Sequence, residues 1–164
     1  MTRLGKRIPR WGGALVLRCA VLLGALSLAA VVTPAAAQEG QVALVKVVDG
    51  KAFALRADQR NPLDVGTPIF IEDVVETEAG GSVGLTFKDG SRISIGPNSR
   101  VQFTEFDFAP AEGRLAFIID FFRGTLLYVS GVIAKLSPDA VKVRTPVATV
   151  AVRGTRFLAE VEGD

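Results

Sequence analysis

The chain has 164 residues, of which 19 are basic, 17 are acidic and none is histidine. The lack of histidine excludes imidazole acid–base catalysis and histidine-bearing zinc sites, and the only cysteine, Cys19, lies near the N-terminus. A chain of this length predicts a single domain.

The first 37 residues have the composition of an export signal. Their five charged residues are all basic, and an uncharged apolar stretch follows at 19–32. Thr33 and Pro34 end that stretch, and alanines occupy 35–37. These features predict a signal peptide at 1–37, cleaved after Ala37, and a periplasmic or secreted product. An uncleaved anchor is the alternative, but the apolar stretch is short for a membrane span of about 20 residues.

Cleavage would leave residues 38–164 as one domain with 14 basic and 17 acidic residues, a net charge of −3. A slightly acidic domain without a basic run argues against nucleic-acid binding. It has no cysteine, so a hydrophobic core rather than disulfides must hold the fold. We expect no cofactor and no metal, because the acidic residues of 58–64 are too sparse for a calcium loop. Only a retained signal segment would contact a membrane.

The first half of the domain alternates strand and turn patterns. We predict a strand at 41–48, a turn at Asp49-Gly50 and a returning strand at 51–57, then a loop at 58–68 and one strand over 69–77. The clearest hairpin joins Ser82–Phe87 to 91–95, because Asp89-Gly90 separates two alternating runs.

The second half continues in the same manner. In the strand at 100–108 the apolar residues change from odd positions, Val101 and Phe103, to even positions, Phe106 and Phe108. This one-residue change predicts a bulge near Thr104-Glu105. Strands at 114–122 and 126–134 flank a predicted turn at Arg123-Gly124-Thr125, and further strands are expected at 141–145, 147–152 and 156–162. This spacing predicts an all-β fold: a sandwich, a roll or a short β-helix-like stack.

A short pattern recurs in the domain, in which a glycine follows Asp or Arg and precedes Lys, Ser or Thr. We interpret each copy as a corner, because glycine adopts a left-handed backbone at little steric cost. The four glycines are Gly50, Gly90, Gly124 and Gly154.

Paired carboxylates are the only candidates for catalysis. They are Glu72-Asp73, Glu76 with Glu78, and Glu105 with Asp107. Such pairs could hydrolyse glycosides, but solvated strand faces and edge protection explain them better. We therefore expect no catalytic residue and no enzymatic activity.

An ordered set of motifs within about 45–161 resembles the FecR domain family. Its central part is the hairpin with Asp-Gly-Ser, and its end is Thr-Pro-x-Ala-x-x-x-Val-Arg-Gly-Thr-x-Phe. The matching residues, which we interpret as mainly structural, are Gly66, Asp73, Thr77, Asp89, Gly90, Ser91, Gly124, Thr145, Pro146, Ala148, Val152, Arg153, Gly154, Thr155 and Phe157.

The resemblance implies a periplasmic module for sensing or binding. The family's name comes from regulators of ferric-citrate uptake, in which a receptor signals through this domain and a membrane helix to a sigma factor. Only 18 residues precede the apolar stretch here, so we expect no anti-sigma role for this polypeptide alone. An alternative is regulation of iron-transport genes through a separately encoded membrane or sigma-factor partner.

The expected ligand is an envelope protein, with cell-wall glycan as an alternative. Binding would occur by strand addition at the last strand, which comprises Phe157, Leu158, Ala159, Glu160 and Val161. Pairing of this strand inside the sheet is the competing interpretation. Arg153 is expected to pair with a carboxylate across the sheet, or else to face a ligand.

Overall fold

The computed structural model describes residues 40–152 and 155–163. The predicted signal peptide therefore lies outside the described residues. Twelve strands account for most of the described chain: β1 Gln41–Asp49, β2 Ala52–Arg56, β3 Gln59–Pro62, β4 Pro68–Phe70, β5 Val74–Thr77, β6 Ser82–Phe87, β7 Arg92–Ile95, β8 Arg100–Ala109, β9 Arg114–Val129, β10 Val141–Arg144, β11 Thr149–Ala151 and β12 Arg156–Val161.

Strand β9 joins two half-sheets. Its first part, up to Arg123, pairs with β8 on one edge and, in parallel, with β10 on the other. Its second part, Gly124 to Val129, pairs with β7 and β12. The first half-sheet has the order β3-β2-β5-β8-β9-β10-β11, and the second has the order β4-β1-β6-β7-β9-β12. The all-β prediction is confirmed, in the form of a single curled and mainly antiparallel sheet.

Aromatic rings pack between the two half-sheets. The Phe87 ring, on β6, lies 5.0 Å from the Phe103 ring and 4.7 Å from the Phe117 ring, which belong to β8 and β9. Both of those phenylalanines are fully buried. Because alternate residues of a strand face opposite sides, most strands send one row of apolar side chains into this core, whereas β3 and β11 are exposed throughout.

Two local predictions are confirmed. Strands β6 and β7 form the expected hairpin, with Val83 opposite Ile95 and Leu85 opposite Ile93, all four buried. The register of β8 on β9 shifts between Phe103 and Glu105, which is the predicted bulge. The bulge restores the apolar residues after it to the core side.

The predictions for 49–77 were wrong in three respects. Strands β1 and β2 do not pair with each other but belong to different half-sheets. The predicted loop contains β3, which forms a hairpin with β2 through Ala57 and Asp58, both with positive φ. The predicted strand at 69–77 is broken, because Glu72 has a φ of +68° and separates β4 from β5.

Two further predictions fail around β9. The residues Arg123-Gly124-Thr125 do not form a turn but lie inside β9, where Gly124 has a φ of +94° and lets the strand pass from one half-sheet to the other. The strand expected to reach residue 134 ends at Val129, and a short helix α1, Val132–Leu136, follows. The β10 strand can therefore run parallel to β9, since a parallel connection needs a crossover. No helix in the described part of the chain is long and apolar enough to cross a membrane.

Candidate functional site

Three groups of the motif residues lie in buried polar clusters. The first surrounds Asp73, which is fully buried at the start of β5. Its carboxylate accepts hydrogen bonds from Arg56 Nε at 2.7 Å and Nη2 at 2.6 Å, and from the Phe70 amide at 2.8 Å. The hydrogen bond with Asp73 raises the pKa of the Arg56 guanidinium, while partial burial opposes that effect. Asp73 thus fixes the break between β4 and β5.

The second cluster lies where β7 gives way to β8. The Thr77 hydroxyl donates to the Gly96 carbonyl at 2.6 Å and accepts from the Ser99 amide at 2.9 Å. The Ser99 hydroxyl in turn accepts from the Thr125 amide at 3.0 Å, directly after Gly124. This cluster ties the β7–β8 connection to the bend of β9.

The third cluster follows the β6–β7 turn. Asp89 accepts from the Ser91 amide at 2.9 Å and from the Ser91 hydroxyl at 2.7 Å, and the Gly131 amide donates to that hydroxyl at 3.0 Å. The Tyr128 hydroxyl lies 3.2 Å from the same oxygen. Burial raises the pKa of the Tyr128 hydroxyl. The cluster anchors the segment between β9 and α1, and the side chains of Asp89 and Tyr128 are both linked to the Ser91 hydroxyl.

The remaining motif residues lie near the last strands. Thr145 and Pro146 form the β10–β11 turn, in which the Thr145 hydroxyl accepts from the Ala148 amide at 3.1 Å. The Thr155 carbonyl accepts from the Ser130 amide at 3.0 Å and continues the β9–β12 ladder. Arg153 and Gly154 lie outside the described residues, so the role of Arg153 stays a prediction.

The predicted partner strand is β12, and it lies at an edge of the second half-sheet. It pairs with β9 from Arg156 opposite Val129 to Val161 opposite Gly124, and with no other strand of the described residues. Its side chains alternate: Phe157, Ala159 and Val161 pack against the core, whereas the intervening side chains are exposed. Leu158 is 70% exposed.

Hydrogen-bond alternation shows which backbone groups of β12 remain available. The amide of Thr125 donates to Ser99 and its carbonyl accepts from Gly96, so neither group faces Glu160, its partner in the register. In an antiparallel ladder, bonded and non-bonded pairs alternate. The amides and carbonyls of Arg156, Leu158 and Glu160 therefore point to the open edge.

A groove of about 580 Å³ lies beside the end of β12. Its floor includes Phe122, which is 40% exposed, and its walls come from the β10–β11 turn and from the end of β12. The lining residues are Arg100, Phe122, Arg123, Pro146, Val147, Glu160, Val161, Glu162 and Gly163. The groove thus brings together the Thr-Pro motif, the bend of β9 and the predicted partner strand.

The carboxylates considered for catalysis are engaged in ion pairs or hydrogen bonds, with one exception. The list of contacts is Glu72 with Gln102, Asp73 with Arg56, Glu76 with Arg60 and Arg100, Glu78 with Lys51 and Arg60, and Asp107 with Arg114. Glu105 is exposed, and its charge helps to raise the pKa of Arg144, after the larger effect of the Asp120 hydrogen bond. Within the described residues, no three acidic side chains gather closely enough to hold a metal ion.

The sequence reasoning missed the groove, although one signal pointed to it. Phe121 and Phe122 are adjacent in a strand, so only one of them can face the core. Phe121 is buried, and Phe122 lies outside beneath Arg100, whose guanidinium is 5.8 Å from the ring centre. An exposed aromatic residue in a strand is a feature of binding surfaces.

Comparison with known proteins identifies one family. A family model described as FecR protein matches residues 73–164, which is more than half of the chain. No curated protein matches the chain, and no solved structure does. The match includes Asp73 and the Asp89 cluster, the bend at Gly124, the β10–β11 turn and β12.

Proposed function

Because the chain belongs to the FecR protein family, we propose that it is an exported, non-enzymatic sensor of the cell envelope that acts by binding a protein partner. The family is one of regulatory proteins, which supports a role in signalling. Export is supported by the basic, apolar and small-residue order of 1–37. The mass of the protein recovered from the periplasm tests export, and we expect a chain that begins at Gln38.

The open edge of β12 is the observation that carries the proposal. The alternate residues Arg156, Leu158 and Glu160 offer amides and carbonyls that pair with no other strand among residues 40–152 and 155–163, and the exposed Leu158 lies at their centre. An extended segment of a partner can extend the half-sheet there, because main-chain bonds supply affinity and alternate side chains supply selectivity.

The groove gives such a segment a place for an anchoring side chain. Phe122, Pro146 and Val147 provide apolar surface, and Val147 is 91% exposed. Arg123 has no acidic partner within 4.0 Å among residues 40–152 and 155–163. A buried apolar anchor beside a polar rim is the usual arrangement of a protein interface.

Family membership also favours a second candidate, regulation of iron-transport genes through a separately encoded membrane or sigma-factor partner. This candidate would use the same edge, but its partner would be a membrane protein. The two candidates therefore differ in the identity of the captured molecule rather than in the surface that captures it.

Site-specific photo-crosslinking in living cells tests the proposal. A photo-reactive residue at Leu158 should give a discrete adduct, whereas the same residue at Val65, which is 68% exposed on a distant loop, should not. The substitution Leu158→Pro should abolish an adduct formed from a photo-reactive residue at Val147, because proline blocks strand addition. Equal adducts at Leu158 and Val65 would contradict binding at this edge.

A further inference from the structure

The outward side chains of β12 form a sequence that is complementary to itself in the antiparallel direction. They are Arg156, Leu158 and Glu160, and all three are exposed. If the strand is reversed about Leu158, Arg156 comes opposite Glu160 and Leu158 comes opposite Leu158. We infer that the partner recognised at this edge is a second copy of the chain, added antiparallel about a two-fold axis at Leu158. This inference rests on the proposed function of the edge.

The backbone supports the same register. Groups at Arg156, Leu158 and Glu160 face the open edge, so the pairs Arg156 to Glu160, Leu158 to Leu158 and Glu160 to Arg156 all consist of residues able to exchange hydrogen bonds. Each bonded antiparallel pair exchanges two bonds, which gives about six across the junction. The two second half-sheets would become one continuous sheet, with the symmetry of an isologous dimer.

The side chains on both faces agree with this register. On the outer face, Arg156 and Glu160 make no ion pair among residues 40–152 and 155–163, and each would gain one from the second copy. On the inner face, Phe157 would lie opposite Ala159, so a large side chain meets a small one. Glu162, at the groove next to Glu160, would add a second carboxylate near the incoming Arg156.

Charge reversal provides the test. Sedimentation velocity of the full-length product over a range of concentrations measures how strongly each variant self-associates. The unmodified chain should form dimers. R156E alone places carboxylates opposite carboxylates, and E160R alone places guanidinium groups opposite each other. Each single variant should therefore self-associate about ten- to a hundredfold more weakly, because like charges oppose each other in two symmetric cross-strand pairs.

Mixing the two single variants should restore dimers, since all the opposed charges are then complementary. The double variant R156E/E160R should also form dimers. K142E, an exposed charge reversal on β10, is the matched control and should leave the association unchanged. The register would be overturned if the unmodified chain forms dimers and both R156E and E160R form dimers equally well.

The outcomes separate this inference from the proposed function. If the chain is monomeric at every concentration while Leu158 still crosslinks to a different protein, the edge binds a partner but the second copy is not that partner. If the chain is monomeric and Leu158 gives no adduct, both proposals fail. A Leu158 adduct of twice the chain mass, lost in R156E and in E160R, supports both.

Discussion

Substitution of Gly124 by alanine tests the bend of β9 most directly. Gly124 has a φ of +94°, which an L-residue rarely adopts. A β-carbon added there would lie 2.0 Å from the Ser99 hydroxyl oxygen and 2.5 Å from the Ser99 α-carbon. The second contact is with backbone, so a change of side-chain rotamer cannot relieve it.

Three effects add to the cost of this substitution. The backbone conformation costs about 1–3 kcal/mol for a residue other than glycine. Overpacking against Ser99 costs about 1–3 kcal/mol, and displacement of the Ser99 hydroxyl from the Thr125 amide, 3.0 Å away, costs about 1 kcal/mol. We therefore expect Gly124→Ala to lower the free energy of unfolding by about 3–7 kcal/mol.

Gly66 provides a matched control. Its φ is +93°, but no atom lies within 4 Å of the added β-carbon. Gly66→Ala should then cost only the backbone contribution, about 1–3 kcal/mol. Urea denaturation followed by far-ultraviolet circular dichroism measures both variants. Equal costs for the two substitutions would refute the packing argument, and so would full recovery of Gly124→Ala by Ser99→Ala, because that change leaves the α-carbon in place.

Three further predictions concern the clusters and the edge. Asp73→Asn should lower the free energy of unfolding by about 2–4 kcal/mol, since it weakens buried charged hydrogen bonds, whereas Asp107→Asn at an exposed pair should cost about 0–1 kcal/mol in the same denaturation assay. Tyr128 is the only tyrosine, and its pKa in the native state should lie above the ordinary value of about 10. The native state should therefore lose stability as the pH rises through this higher pKa, because the unfolded chain releases the proton first. A pH titration of tyrosinate absorbance measures the native pKa, and a midpoint at or below the ordinary value would contradict the prediction. At concentrations where the chain is monomeric, Leu158→Pro should leave the free energy of unfolding nearly unchanged because its amide faces outward, whereas Ala159→Pro removes a bond to β9 and should cost about 3 kcal/mol or more.

The sequence predicted the parts of the fold that depend on local chemistry. Asp89-Gly90 lies between two alternating runs, so the β6–β7 hairpin and its register follow from adjacent residues alone. The change of the apolar residues from odd to even positions near Glu105 predicted the bulge, again from adjacent residues alone. The β2–β3 hairpin was missed because Ala57 and Asp58 adopt positive φ without a glycine, and because β3 is polar and exposed.

The bend of β9 shows a limit of local reasoning. A glycine with positive φ occurs both in a turn and in a bent strand, so Gly124 alone cannot distinguish them. The decision depends on Ser99, which is distant in sequence and packs against the glycine. The sequence marked β12 as a candidate edge but did not decide between an edge and pairing inside the sheet, which the structure decides. The groove could not be predicted at all, because Arg100, Phe122 and Pro146 meet only in the folded chain.

The central position of β9 has a consequence for how the domain folds. Its partners β7 and β8 precede it in the chain and β10 and β12 follow it, so both half-sheets are incomplete in any fragment that ends before β9. Fragments that stop before Arg114 lack Phe117, Leu126 and Tyr128 and leave the inner rows of the earlier strands open to water. We therefore expect residues 40–163 to melt in a single cooperative transition, and to fold slowly because most pairings join distant segments. During synthesis, β7 and β8 would therefore lack their shared partner until β9 has been made.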